Sequence, residues 1–244
     1  MNKVFCRKRL LFSLLLTGYL ILFNTACGLD TFYVIDGPYN NVHPISWDSN
    51  FYNEHYFEFW TVDKTYDSIK FLGTDVYYKI YKSSSTLTSQ VETLQSLSNN
   101  SDTTNASANR MIESYGYQPL RGLGYSDVNV LIPTTGHNQK ITIRLSDYTD
   151  LFPAHLAVDD ENIYGSSSRV IPVRNLANQP SFNFSKLTED KRPASGDADV
   201  NVSGSSSANI WYVSLFAVAV GQDYTYSPVY SNILYLGSVP ISVE

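Results

Sequence analysis

The chain has 244 residues, with 17 basic and 23 acidic side chains and a net charge of −6. Four basic residues and no acidic ones precede Cys27, so the remainder carries 13 against 23, or −10. That balance excludes nucleic acid as a partner, because phosphate binding needs clustered Lys and Arg. It also gives the body of the protein no charge attraction to anionic lipid head groups.

The first element is a secretory signal in three parts. Lys3, Arg7, Lys8 and Arg9 make a basic start, Leu10 to Phe23 an apolar run, and Thr25 and Ala26 a pair of small residues before Cys27. The apolar run is 14 residues long, whereas a helix needs roughly 20 to cross the bilayer core. It therefore reads as the core of a signal and not as a permanent membrane span. An ordinary signal with an incidental cysteine, or an uncleaved anchor, has the same layout.

The ending Asn24-Thr25-Ala26-Cys27 resembles the lipobox of bacterial lipoproteins, in the relaxed form found in spirochaetes. Asn24 departs from the usual Leu. The resemblance implies diacylglyceryl attachment at Cys27, cleavage before it and acylation of the new N-terminus. Several acyl chains anchor durably, at ~0.8 kcal/mol per buried methylene. The organisation expected is 1–26 as signal peptide, 27–30 as lipid-anchored tether and 31–244 as one domain. The expected partner is a membrane of the cell envelope, the outer membrane or the periplasmic face of the inner one. The other cysteine, Cys6, lies in the removed segment, so the mature chain has neither a disulfide nor a thiolate metal site.

Strand signals follow. Thr31 to Ile35 reads as extended, ending at Asp36-Gly37-Pro38. His55 to Val62 is rich in aromatics. In Thr74 to Lys82, Val76, Tyr78 and Ile80 share one face and Tyr77, Lys79 and Tyr81 the other. The period then changes. Leu87, Val91 and Leu94 form one helical stripe between Ser84 and Ser98. A second helix is predicted over Ala106 to Tyr115, stopped by Gly116. The pair reads as a helical insertion near 84–116.

Strand signals return at Val128 to Ile132 and Lys140 to Leu145, with 133–138 as a hairpin loop between them. Ala154 to Val158 and Val170 to Val173 are weaker. Ser185 to Ala208 reads as a long Ser-rich loop, with Val200 to Val202 as an edge strand. Ile210 to Val220 and Ser231 to Leu236 close the chain.

Trp211-Tyr-Val-Ser-Leu-Phe-Ala217 resembles the F strand of a fibronectin type III domain, with Val213, Leu215 and Ala217 facing inward. Ser227-Pro228 and Ser231 fit the following loop and G strand. Thr74–Lys82 is similar to strand C, and His55–Val62 to strand B with Phe59 or Trp60 as core aromatic. Trp211 stands where that family has its corner tyrosine. The fold class implied is mainly β: an antiparallel sandwich, fibronectin type III-like or immunoglobulin-like, elaborated by the helical insertion and the long loop. Another sandwich with the same local pattern remains open.

Chemistry-bearing motifs are sparse. His43, His55, His137 and His155 lack metal-ligand spacing, and there is no nucleophile elbow. Gly122-Leu-Gly124 lacks the third glycine of a dinucleotide loop. Asp159-Asp160-Glu161-Asn162, near Asp147 and Asp150, is the best calcium candidate by composition but reads better as a solvated turn. Tyr224, Tyr226 and Tyr230 sit in and after the presumed F–G loop and form a candidate binding surface. The expectation is a non-enzymatic envelope lipoprotein with a binding or structural role, no cofactor or metal, and an unknown protein or glycan partner. The alternatives are a carbohydrate-recognition module using exposed aromatics and a carboxylate-dependent envelope enzyme.

Overall fold

A computed structural model describes residues 33–42, 49–98, 104–204 and 209–243. The signal segment and Cys27 therefore lie outside the described residues, as do His43 and the predicted strand's first two positions. The strands are β1 (Tyr39–Val42), β2 (Phe57–Trp60), β3 (Lys70–Tyr81), β4 (Gln118–Pro119), β5 (Arg121–Gly122), β6 (Ile132–Pro133) and β7 (Lys140–Arg144). They continue with β8 (His155–Val158), β9 (Glu161–Asn162), β10 (Pro172–Val173), β11 (Val200–Asn201), β12 (Ile210–Gln222), β13 (Pro228–Tyr230) and β14 (Leu234–Ser242). Two helices, α1 (Ser84–Ser98) and α2 (Thr104–Asn109), follow β3, and a π-type turn over Arg110–Ser114 extends α2.

Among the described residues these strands form two principal sheets. The smaller runs β1-β2-β7-β8-β9, each neighbour antiparallel. The larger is built on β3 and β12, which pair antiparallel from Tyr81↔Tyr212 to Lys70↔Gln222. β13 and β14 share the other edge of β12. Three short strands, β6, β4 and β11, take successive stretches of the open edge of β3, and β11 runs parallel to it.

The sheets face one another across the main core. Phe57, Phe59, Ile141, Ile143 and Leu156 of the smaller sheet meet Val76, Tyr78, Ile80, Val213, Leu215 and Ala217 of the larger. The outer face of the larger sheet is covered as well. Leu87, Val91, Leu94, Ala108 and Met111 pack on Tyr77, Tyr81, Phe216 and Val218. β12 is thus buried on both faces from Val213 to Gly221, which explains its nearly unbroken apolar sequence. The architecture is a mainly antiparallel β-sandwich with a helical third layer.

Most predicted elements appear with shifted ends. Phe59, fully buried, is the core aromatic of β2, and Trp60 faces the other way, half-buried. Gly116 ends the helical segment with a φ of +66°, as a left-handed stop requires. Three expectations fail. The predicted strand Val128–Ile132 is a run of bends that joins a strand only at Ile132. Residues 33–35 are not in a strand; among the described residues the first strand begins at Tyr39. There the Asp36 amide donates to the Tyr66 hydroxyl at 2.8 Å in place of a ladder bond, and Ile35 is buried against Ile69, Ala219 and Val229. The loop after Pro133 is not a hairpin, because β6 pairs with β3 while β7 pairs with β2 and β8. It carries the chain from one sheet to the other. The long loop from Ser185 holds the short 3-10 turns Phe184–Lys186 and Glu189–Lys191 and the predicted edge strand, β11.

Candidate binding clefts

The outer face of β3 presents Asp75, Tyr77, Lys79 and Tyr81 in alternation with the core face. The helices cover Tyr77 and Tyr81, and Asp75 lies toward the start of the strand, two residues after Gly73. Asp75 is 3% exposed. Its Oδ1 accepts from Arg121 Nη1 at 2.7 Å and from the amides of Val76 and Leu131, each at 3.1 Å. Oδ2 accepts from Arg121 Nη2 at 3.3 Å. Burial pushes the carboxyl above the usual carboxylate range, and the Arg121 guanidinium opposes that rise.

Asp75 forms part of the wall of a cleft of about 270 Å³ with Tyr77, Tyr230, Asn129, Gln222 and Lys70. The two tyrosines share this wall, and burial raises the pKa of both above the ordinary tyrosine value. Tyr230 is fixed from behind, its amide donating to Asn105 Oδ1 at 2.9 Å.

A second cleft, about 350 Å³, opens between β6 and the β8–β9 hairpin, with Gln139, Asn162 and Tyr164 in its wall. Tyr164 holds a left-handed φ of +63°, and its hydroxyl donates to the Leu131 carbonyl at 2.9 Å. Its ring centroid lies 4.4 Å from that of Tyr125. Leu131 therefore links one wall residue of each cleft: its amide donates to Asp75 and its carbonyl accepts from Tyr164.

The structure separates the three tyrosines singled out by sequence. Tyr224 and Tyr226 are 79% and 81% exposed on the β12–β13 loop, whereas Tyr230 lines the first cleft. The Asp223 carboxylate organises the loop, accepting from the amides of Thr225 and Ser227 at 2.8 and 2.9 Å. The acidic run is a turn: Asp159 and Asp160 both have positive φ between the paired Val158 and Glu161. Lys140 ties it down through its amide to Asp159 and its ammonium to Asp160, both at 2.8 Å. Among the described residues no group of three or more His, Cys, Asp or Glu is placed to hold a metal ion. His55 is buried edge-on to Tyr52 and Tyr148, His137 is exposed, and His155 is half-buried, its pKa lowered by burial.

No protein family, curated protein or solved structure matches this chain. The geometry of the clefts is thus the main guide to the body of the protein. Asp75, Arg121, Asn129 and Gln222 were not among the sequence-predicted site residues. One signal was present for the first: an acidic residue inside the β-prone run Thr74–Lys82, in a strand whose two faces are both buried.

Proposed function

We propose that this chain is a cell-envelope lipoprotein with a non-enzymatic binding role, anchored by a diacylglyceryl group on Cys27. The observation that carries the reading is the basic, apolar and small-residue succession ending in Asn24-Thr25-Ala26-Cys27. In keeping with it, no helix among the described residues is long and apolar enough to cross a membrane. Among the described residues, Ile35 is the first buried core residue after the cysteine. The eight steps of chain from Cys27 reach at most about 27 Å at ~3.4 Å each, which keeps the sandwich near the bilayer surface.

The fibronectin type III-like or immunoglobulin-like reading of the sandwich draws support from two adjacencies. β12 lies between β3 and β14, as strand F lies between C and G, and β2 pairs with β7 as B pairs with E. One feature differs from the immunoglobulin order: the outer strand β8 follows its neighbour β7 in the chain, whereas D precedes E. The binding role draws support from the two clefts and from the loop that exposes Tyr224 and Tyr226.

Metabolic labelling with an alkyne palmitate tests the anchor. Cells expressing the full chain should incorporate label, and a Cys27→Ala variant should lose it and accumulate the uncleaved precursor. Failure of the unaltered chain to take up label would overturn the proposal.

A further inference from the structure

We propose that the Asp75 cleft binds one ring of a neutral, polyhydroxylated ligand, a sugar residue. This deepens the binding reading above and does not depend on the anchor.

Size comes first. At about 270 Å³ the cleft lies just under the ~300–1,000 Å³ of pockets that enclose drug-sized ligands. It suits a single compact ring or a comparably small molecule.

Charge narrows the class. Asp75 and Arg121 are both buried, at 3% and 8% exposure, and form a two-pronged ion pair. The pair is neutral as a unit, so the cleft offers an acceptor without an uncompensated negative charge. An ammonium ligand would have to compete with a guanidinium already seated, and an anion would meet the carboxylate. Lys70, the other cation of the cleft, is exposed. A ligand without net charge is favoured.

The hydrogen-bonding inventory then selects hydroxyl groups. An ionised carboxylate has about four acceptor positions. Oδ1 of Asp75 receives three donors, while Oδ2 receives one long contact from Arg121 among the described residues. Oδ2 therefore keeps acceptor capacity. The hydroxyls of Tyr77 and Tyr230 also face the cleft, and each can donate or accept. The amides of Asn129 and Gln222 each add an acceptor and two donors. Such a mixed set matches sugar hydroxyls, which both donate and accept. Leu72, Val220 and Pro228 complete the wall with apolar surface for the C–H face of a ring.

The site is also built in advance. Leu131 and Arg121 fix Asp75, and Asn105 fixes the backbone of Tyr230, so little ordering remains for the ligand to drive.

Saturation-transfer difference NMR on the full chain, in a zwitterionic detergent free of sugar, tests the proposal. The probes are glucose, galactose and N-acetylglucosamine at millimolar concentration, with alanine as the zwitterionic control. At least one sugar should show ring-proton saturation. Affinity should fall about tenfold in Tyr230→Phe or Gln222→Ala, the loss expected for one hydrogen bond. Both variants should keep the circular dichroism spectrum and unfolding midpoint of the parent. No saturation with any sugar, saturation undiminished in both variants, or binding of alanine in place of sugar would each overturn it. Palmitate incorporation at Cys27 is read separately, so loss of sugar binding with label retained removes this site and leaves the anchor.

Discussion

Arg174 is 1% exposed, and its guanidinium lies between two carboxylates of the long loop. Nη2 reaches Asp199 Oδ1 and Asp197 Oδ2, both at 2.6 Å, and Nε reaches Asp199 Oδ2 at 2.8 Å. The Tyr78 hydroxyl donates to the same Oδ2 at 2.7 Å and accepts the Asn175 amide at 2.7 Å. With no cysteine among the described residues, the protein fastens residues 174–199 to the central strand through a buried ionic knot. Arg174→Ala leaves Asp199 buried and uncompensated, and should cost ~3–5 kcal/mol in urea unfolding at neutral pH. Asp197→Ala, at a side chain 26% exposed, should cost about 1 kcal/mol or less. Equal losses would mean that burial of Asp199 does not govern the knot. Asp147 responds to pH instead. Its own burial would raise the carboxyl, but the Ala154 amide and the Lys186 ammonium outweigh that and hold it below the ordinary value. A carboxyl depressed in the folded state stabilises above its unfolded pKa, ~3.9, and that contribution disappears as pH falls through the lower folded value. Below about pH 4, therefore, the unaltered chain should lose stability more steeply than Asp147→Asn, read as the shift in Tm with pH.

At the scale of elements, β3 decides most of the arrangement, and one glycine decides β3. Gly73 adopts φ +137°, and a side chain there would run into the Ile132 carbonyl of β6. The register with β12 shifts at the same place, between Val220 and Gly221, as a bulge does. Gly73→Ala combines a disfavoured backbone with a collision against main chain. It should destabilise by more than about 2 kcal/mol, measured by the denaturant midpoint, with β6 and the neighbouring Asp75 cleft disturbed first. Loss of sugar binding at a temperature where the variant remains folded would report that local effect. The long elements were legible because each carries its own pattern: the alternation of β3, the apolar run of β12, the Leu87–Val91–Leu94 stripe of α1. The two-residue strands were not, because the open edge of β3 selects them and their own residues do not. Pro119 and Pro133 even sit in strands, tolerable where each covers an edge for two residues only. The site divides the same way. Tyr230 was visible from its aromatic context, whereas Asp75 was not singled out, because its strand read as buried on one face only. Arg121, Asn129 and Gln222 join them only through tertiary pairing.

Across the whole molecule, the three layers share their central sheet, and this predicts how the protein unfolds. Phe216 and Val218 of β12 pack under the helices, while Leu215 and Ala217 of the same strand pack against the smaller sheet. Among the described residues, the helical layer has no core apart from this sheet face. Its short α2 and its polar outer surface give it little reason to persist alone, since isolated helices under ~12–15 residues are marginal in water. The central pairing is also distant in sequence, joining Tyr81 to Tyr212, so loop closure must precede the contacts that reward it. Helix and sheet should therefore be lost together. In a urea titration of a Trp47→Phe, Trp60→Phe variant, which keeps Trp211, 9% exposed in the inter-sheet core, as its one tryptophan, far-UV circular dichroism and fluorescence should trace coincident transitions. Refolding followed by the same fluorescence should take ~ms to s, as for other topologies dominated by non-local strand pairing. Added reductant should change neither result, because Cys6 and Cys27 are the only cysteines and both precede Tyr33. A helical signal that melts ahead of the tryptophan would instead show that the insertion is an independent layer, docked on a two-sheet core that is stable without it.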